Sequence, residues 1–173
     1  MASRSSHIHP AADEPDRLLA ACDTERTKGS GPGGQHRNKV ETAVRLTHRP
    51  TGVIGAAGER RTQGENRRVA LFRLRVNLAF QVRSEVDASA GPSELWRARC
   101  RGGRVAINPA HRDFPALLAE AMDVMTACEF DGQTAGQRLG CTASQLIKLL
   151  KLEPRALQSI NEQRAARQLH ALR

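Results

Sequence analysis

The sequence predicts an α+β fold: a small, mainly antiparallel sheet with a long helix packed on it, then a hairpin and a small α-helical C-terminal unit. Three observations carry this. Residues 42–48 alternate apolar and polar, with Val44 and Leu46 on one side and Arg45 and Thr47 on the other, the period of a half-buried strand. Arg49-Pro50-Thr51-Gly52 is a turn, after which residues 53–57 can return antiparallel. Val69, Ala70, Leu71, Leu74, Leu78 and Val82 then recur at helical spacing.

In chain order, residues 1–15 read as a disordered leader, polar and without the apolar core of a secretory signal. Residues 16–22 predict a short helix and 22–28 an extended segment. Gly29-Ser30-Gly31-Pro32-Gly33-Gly34 holds four glycines and a proline in six residues and predicts an exposed loop. The hairpin follows, then a helix over about 64–86, closing a domain over 16–87. Ser89-Ala90-Gly91-Pro92-Ser93 predicts a linker, opening a segment (88–130) with a hairpin around Gly102-Gly103 and a helix over 116–128. Its strands are expected over 95–101 and 104–108. Asp131-Gly132 is read as the break after that helix. Short helices are expected over 134–139, 143–150 and 154–169 in a final unit, 131–173, with Pro154 suited to a first helical position.

Charge narrows the partner. The chain has 173 residues and a net charge of +9. Residues 25–83 hold 13 of the 27 basic and 4 of the 18 acidic residues, so the whole excess lies in that block. Most of the basic residues are arginine, which suits bidentate phosphate contacts, and a polyanion is the expected partner. One Trp, four Phe and no Tyr argue against recognition by aromatic stacking. The four cysteines form no CxxC pair and fit a reducing, cytoplasmic setting. No run of 18 apolar residues predicts a membrane helix. His7 and His9 lack further ligands, so no metal site and no cofactor are expected.

The chemistry is expected in Gly33-Gly34-Gln35. Paired glycines free the backbone to take positive φ and approach a partner closely. Exposed N–H groups there can stabilise a developing oxyanion. Gln35 does not titrate near neutral pH, so it is no general base, but its amide can position a water. Arg37 and Lys39 just downstream can hold phosphates. No G-x-x-x-x-G-K-[ST] motif is present, so this is not a Walker loop.

Residues 30–52, SGPGGQHRNKVETAVRLTHRPTG, resemble the catalytic domain of class I peptide chain release factors of the bacterial and organellar type. Gly33-Gly34-Gln35 matches their signature tripeptide, and Arg61-Thr62-Gln63-Gly64-Glu65-Asn66 resembles the segment before their basic helix. The resemblance covers about residues 22–83. It departs at Arg37, where the family usually has an apolar residue, which adds charge beside the tip. The resemblance implies a loop that enters the peptidyl transferase centre of the ribosome and hydrolyses the ester of peptidyl-tRNA. The Gln35 N–H would stabilise the intermediate while its side chain orders the water, and ribosomal RNA and the tRNA would supply the rest. It further implies N-methylation of Gln35 by a methyltransferase partner. The expected RNA contacts are Lys28, His36, Arg37, Asn38 and Lys39 in the loop. Beyond it they are Arg45, Arg60, Arg61, Gln63, Asn66, Arg67 and Arg68.

Codon-reading members have large flanking domains. Here about 21 residues precede the match, and no Pro-x-Thr or Ser-Pro-Phe reader stands in a suitable domain. The expected activity is therefore codon-independent release from stalled ribosomes. Rescue hydrolases of this kind usually end in a strongly basic tail, yet residues 154–173 carry only Arg155, Arg164, Arg167 and Arg173 against Glu162. Two other readings stay open. One is a non-catalytic protein that binds RNA or the ribosome. The other is a DNA-binding regulator, because residues 136–147 resemble a helix-turn-helix with Gly140 in the turn and a reading helix near 144–151. Arg97, Arg99, Arg101 and Arg104 around Gly102-Gly103 suit either an RNA contact or a solvated hairpin.

Overall fold

A computed structural model describes residues 9–27, 42–87 and 91–173. The chain divides after Val82 into two compact units, one over Pro10–Val82 and one taking in Arg83–Arg173.

The first unit is α+β. A 3-10 turn, Pro10–Ala12, leads to α1, Pro15–Ala20. Strands β1 (Cys22–Thr27), β2 (Ala43–His48) and β3 (Ile54–Ala57) form an antiparallel sheet in that order. Its register pairs Thr27 with Ala43, Cys22 with His48, and Val44 with Ala57. Val44, Leu46 and His48 point into the core. The Pro-Thr-Gly turn closes β2 onto β3, with Gly52 at φ +70° and the Thr51 and Gly52 N–H groups donating to the His48 carbonyl. Burial keeps the His48 imidazole below its usual pKa, and its Nδ1 lies 2.8 Å from the Thr51 hydroxyl.

Helix α2, Gln63–Gln81, packs on the sheet through Ala70, Leu74 and Leu78. A reciprocal cap starts it: the Glu65 N–H donates to the Thr62 hydroxyl, and the Thr62 N–H donates to the Glu65 carboxylate. β3 and α2 meet so closely that a Cβ on Gly55 would stand 2.3 Å from the Ala70 carbonyl oxygen and 2.4 Å from Leu74 N. Only glycine fits there without displacing the helix.

Three expectations change here. Residues 10–15, expected in a disordered leader, are part of the unit: Ala11 is buried and its carbonyl accepts from Arg75 Nε at 2.9 Å. Residues 1–8 lie outside the described residues. Second, α2 stops at Gln81, not near 86. Val82 is extended, and beyond it the Arg83 guanidinium and the Ser84 N–H both donate to Asp123, at 2.7 and 3.2 Å. That partner is forty residues away and invisible to a helical period. Third, the return strand begins at Ile54 rather than Val53.

The second unit is mostly helical: α3 (Glu94–Arg99), a hairpin of β4 (Cys100–Arg101) and β5 (Arg104–Val105), α4 (Phe114–Ala127), α5 (Gly132–Arg138), α6 (Ala143–Leu150) and α7 (Pro154–Ala166). The hairpin turns at Gly102-Gly103 as expected but is short, because residues 94–99, capped by the Ser93 hydroxyl, form a helix where a strand was read. Of the expected linker, Ser89 and Ala90 lie outside the described residues. α4 is the centre, buried on almost every side. It ends at Cys128, before Asp131-Gly132: Glu129 and Phe130 take φ +51° and +63°, and the Phe130 N–H returns to the Met125 carbonyl at 2.7 Å. Gly132 instead sits inside α5, which Asp131 caps. α5 and α6 meet across a turn with Gly140 at φ +67°, so tightly that a Cβ on Gly136 would be 2.9 Å from the Cys141 carbonyl oxygen.

Candidate nucleic-acid interface

Segment 28–41 joins β1 to β2. Gly33, Gly34 and Gln35 lie in it, with Lys28, His36, Arg37, Asn38 and Lys39, and all eight are outside the described residues. The structure describes its two roots. Thr27 pairs with Ala43, so the strands are in register up to the point where the segment leaves them. Asn66, in the first turn of α2, holds the neighbouring residue: its Nδ2 donates to the Thr42 carbonyl at 2.7 Å and the Arg60 carbonyl at 3.1 Å, while its Oδ1 accepts the Arg60 N–H at 2.9 Å. Asn66 is fully buried. It was expected among the RNA contacts; its side chain is instead consumed inside the protein, tying the root of β2 to the start of α2. The Asn alone gave no signal of this, although Thr62-Gln63-Gly64-Glu65 is a legible capping box that places Asn66 in a first turn.

The expected cations beyond the segment divide by what they touch. Arg60, Arg61, Arg67 and Arg68 are exposed and make no ion pair or side-chain hydrogen bond among the described residues. Gln63 is half-buried at the helix start. Arg45 is exposed on β2, 3.8 Å from Glu25. Other arginines of the same block bind the protein itself: Arg73 bridges Glu59 at 2.7 Å and the Ala56 carbonyl at 2.8 Å, and Arg49 bridges Asp23 and the Ala20 carbonyl. The free set is gathered before and within the first turns of α2, the element that holds the β2 root.

Titrating groups in the described part of this unit have structural causes for their shifts. Glu65 is held low by the Thr62 hydroxyl and N–H, with Arg60 and Arg68 adding to it. Glu59 is held low first by backbone N–H donors and then by Arg73. Burial raises the Cys22 thiol. The unit thus exposes guanidiniums on its surface, while the shifted acids serve caps and ion pairs.

Fold and surface together define a basic α+β module whose β1–β2 connection carries a Gly-Gly-Gln tripeptide. Residues 20–101, just under half of the chain, match the family described as the RF-1 domain, which supports the likeness of that stretch to class I peptide chain release factors. Three relatives bear the name peptide chain release factor 1. That of Acidiphilium cryptum is 49% identical over 61 residues, 35% of this chain and 17% of the relative. The Ureaplasma parvum relative is 44% identical over 73 residues, 41% of this chain and 20% of its own. The Kocuria rhizophila relative is 34% identical over 95 residues, 53% of this chain and 26% of its own. The matches thus span about a fifth of the relatives' length. No solved structure matches the chain. No helix among the described residues is long and apolar enough to cross a membrane.

Proposed function

We propose that this protein hydrolyses the ester of peptidyl-tRNA within the ribosome, with Gly33-Gly34-Gln35 as the catalytic tip. The observation that carries the reading is the tripeptide's place: it lies inside the matched RF-1 domain, on a connection whose roots are pinned by the Thr27–Ala43 pairing and by Asn66. The glycines free the backbone for close approach, the Gln35 N–H meets developing negative charge, and the Gln35 amide orders the attacking water. Arg60, Arg61, Arg67 and Arg68 hold RNA phosphates around the tip. Methylation of Gln35 by a dedicated methyltransferase, and action in the cytoplasm, belong to the same reading.

In its finer form the proposal is codon-independent release from stalled ribosomes. What the release factors share with this chain is about a fifth of their length, the glycine-rich module rather than their whole. The test is a release assay on ribosomes stalled on truncated messages, compared with ribosomes halted at a stop codon. Release is expected on the truncated message, and Gln35→Ala is expected to slow it on the order of 10²-fold with unchanged folding. Ribosome binding without release would favour a non-catalytic docking protein. Release only at stop codons would overturn codon independence.

A further inference from the structure

The second unit carries a like-charge pair that its own fold does not explain. Gly102 and Gly103, at φ +56° and +74°, make a two-residue turn that sets Arg101 opposite Arg104 across β4 and β5. Directly opposed residues of an antiparallel pair put their Cβ atoms about 5 Å apart, and like charges there repel. Both are exposed, as is Arg97, and none of the three makes an ion pair or side-chain hydrogen bond among the described residues. Arg99 shows the alternative: its guanidinium is turned onto Asp113 at 2.7 Å and His111 at 3.2 Å.

The hairpin and the helix before it are tied to the α5–α6 turn. The Trp96 indole N–H donates to the Leu139 carbonyl at 2.7 Å, and the Cys100 thiol to the Gly140 carbonyl at 3.5 Å. Those carbonyls are consecutive in the tight α5–α6 turn. Each hydrogen-bonded residue is thus the sequence neighbour of a free arginine: Trp96 of Arg97, Cys100 of Arg101. A repelling, exposed pair is stabilised by a polyanion, and planar guanidiniums suit phosphate oxygens.

We infer that the β4–β5 hairpin is a second RNA-binding surface, with Arg101, Arg104 and Arg97 gripping the phosphate backbone of an RNA helix. The choice of RNA over other polyanions rests on the proposed ribosomal function; the phosphate contact does not. The contact is backbone-directed, so it carries no sequence preference.

The test uses the full chain, a 16-base-pair RNA duplex, the same sequence as DNA, and poly-glutamate, with affinity followed by anisotropy across salt concentrations. Arg101→Gln/Arg104→Gln is expected to weaken RNA binding roughly tenfold and to lower the slope of log affinity against log salt by about two. Its thermal midpoint, followed by Trp96 emission, is expected to stay or rise, because repulsion has been removed. Arg101→Lys/Arg104→Lys keeps the charge and is expected to restore the slope. Unchanged RNA affinity and slope in the Gln variant would overturn the inference, as would an equal loss of poly-glutamate binding or a preference for DNA. Duplex binding is read on the free chain and peptide release on the ribosome, so failure of peptide release and failure of the hairpin contact are read separately.

Discussion

At the scale of single residues, the two polar groups that matter most to the described fold are both buried, and each leads to a prediction. Asn66 satisfies Thr42 and Arg60 at once. Asn66→Ala leaves two carbonyls and an N–H without their partner, which costs roughly 2–4 kcal/mol. It should lower the urea midpoint with little change in slope, and slow peptide release by loosening one root of the glycine-rich segment. Release and stability both at parental levels would show that the root needs no such clamp. Asp123 is the second. Desolvation pushes its carboxyl up to about 6, against the opposing pull of Arg83 and the Ser84 N–H, with Glu120 adding to the rise. An unfolded aspartate titrates near 3.9. Between about pH 4 and 6 the folded state holds a proton that the unfolded state has released, so stability falls as pH rises through that window. The loss amounts to roughly 1–3 kcal/mol. Asp113, Asp131 and Glu153 in the same unit are shifted down and slope the other way. The measurement is therefore the difference between parent and Asp123→Asn in urea unfolding at pH 4.5 and 7.5. Parallel pH profiles for the two proteins would sink the assignment.

At the scale of elements, what the sequence made legible was whatever rests on local period and turn chemistry. The alternation around Val44 and Leu46 gave β2, Pro50-Thr51-Gly52 gave its turn, and the α+β class followed. Residues 143–150 were legible to the residue because Thr142 caps α6 and Leu146, Leu149 and Leu150 share a face. Ends set by distant partners were not legible. α2 stops before Val82, ahead of the Ser84 contact with Asp123; α4 ends within a residue of the expected position, but the left-handed exit at Glu129 and Phe130 carried no glycine-like signal. The Phe130 ring lies 4.6 Å from the Arg167 guanidinium, and Arg164 donates to the Phe130 carbonyl. These α7 contacts hold a backbone that costs about 1–2 kcal/mol per such residue. The candidate site divides in the same way. Its chemistry was legible as a tripeptide and a block of arginines. Which arginines are free and which bind carbonyls of their own protein depends on α2 lying against β3, a packing that no window of sequence contains.

At the scale of the whole molecule, two cores mean two things to unfold, and the composition supplies a separate probe for one of them. Trp96 is the only tryptophan, there is no tyrosine, and the indole is fully buried in the helical unit with its N–H on Leu139. Its emission reports that unit alone. Circular dichroism reports the helices of both, α2 included. Gly55 lies in the other core, where an added methyl would collide with the Ala70 carbonyl and with Leu74. Gly55→Ala must push α2 off β3, at a cost of about 1–3 kcal/mol or more. The expected outcome is an early circular dichroism transition in the variant, with the midpoint of Trp96 emission unchanged. Two-state unfolding requires different probes to coincide, so the separation would mark the units as thermodynamically distinct. If both midpoints instead moved together, the two cores would unfold as one cooperative body, and a strain placed between β3 and α2 would be felt in the helical unit as well.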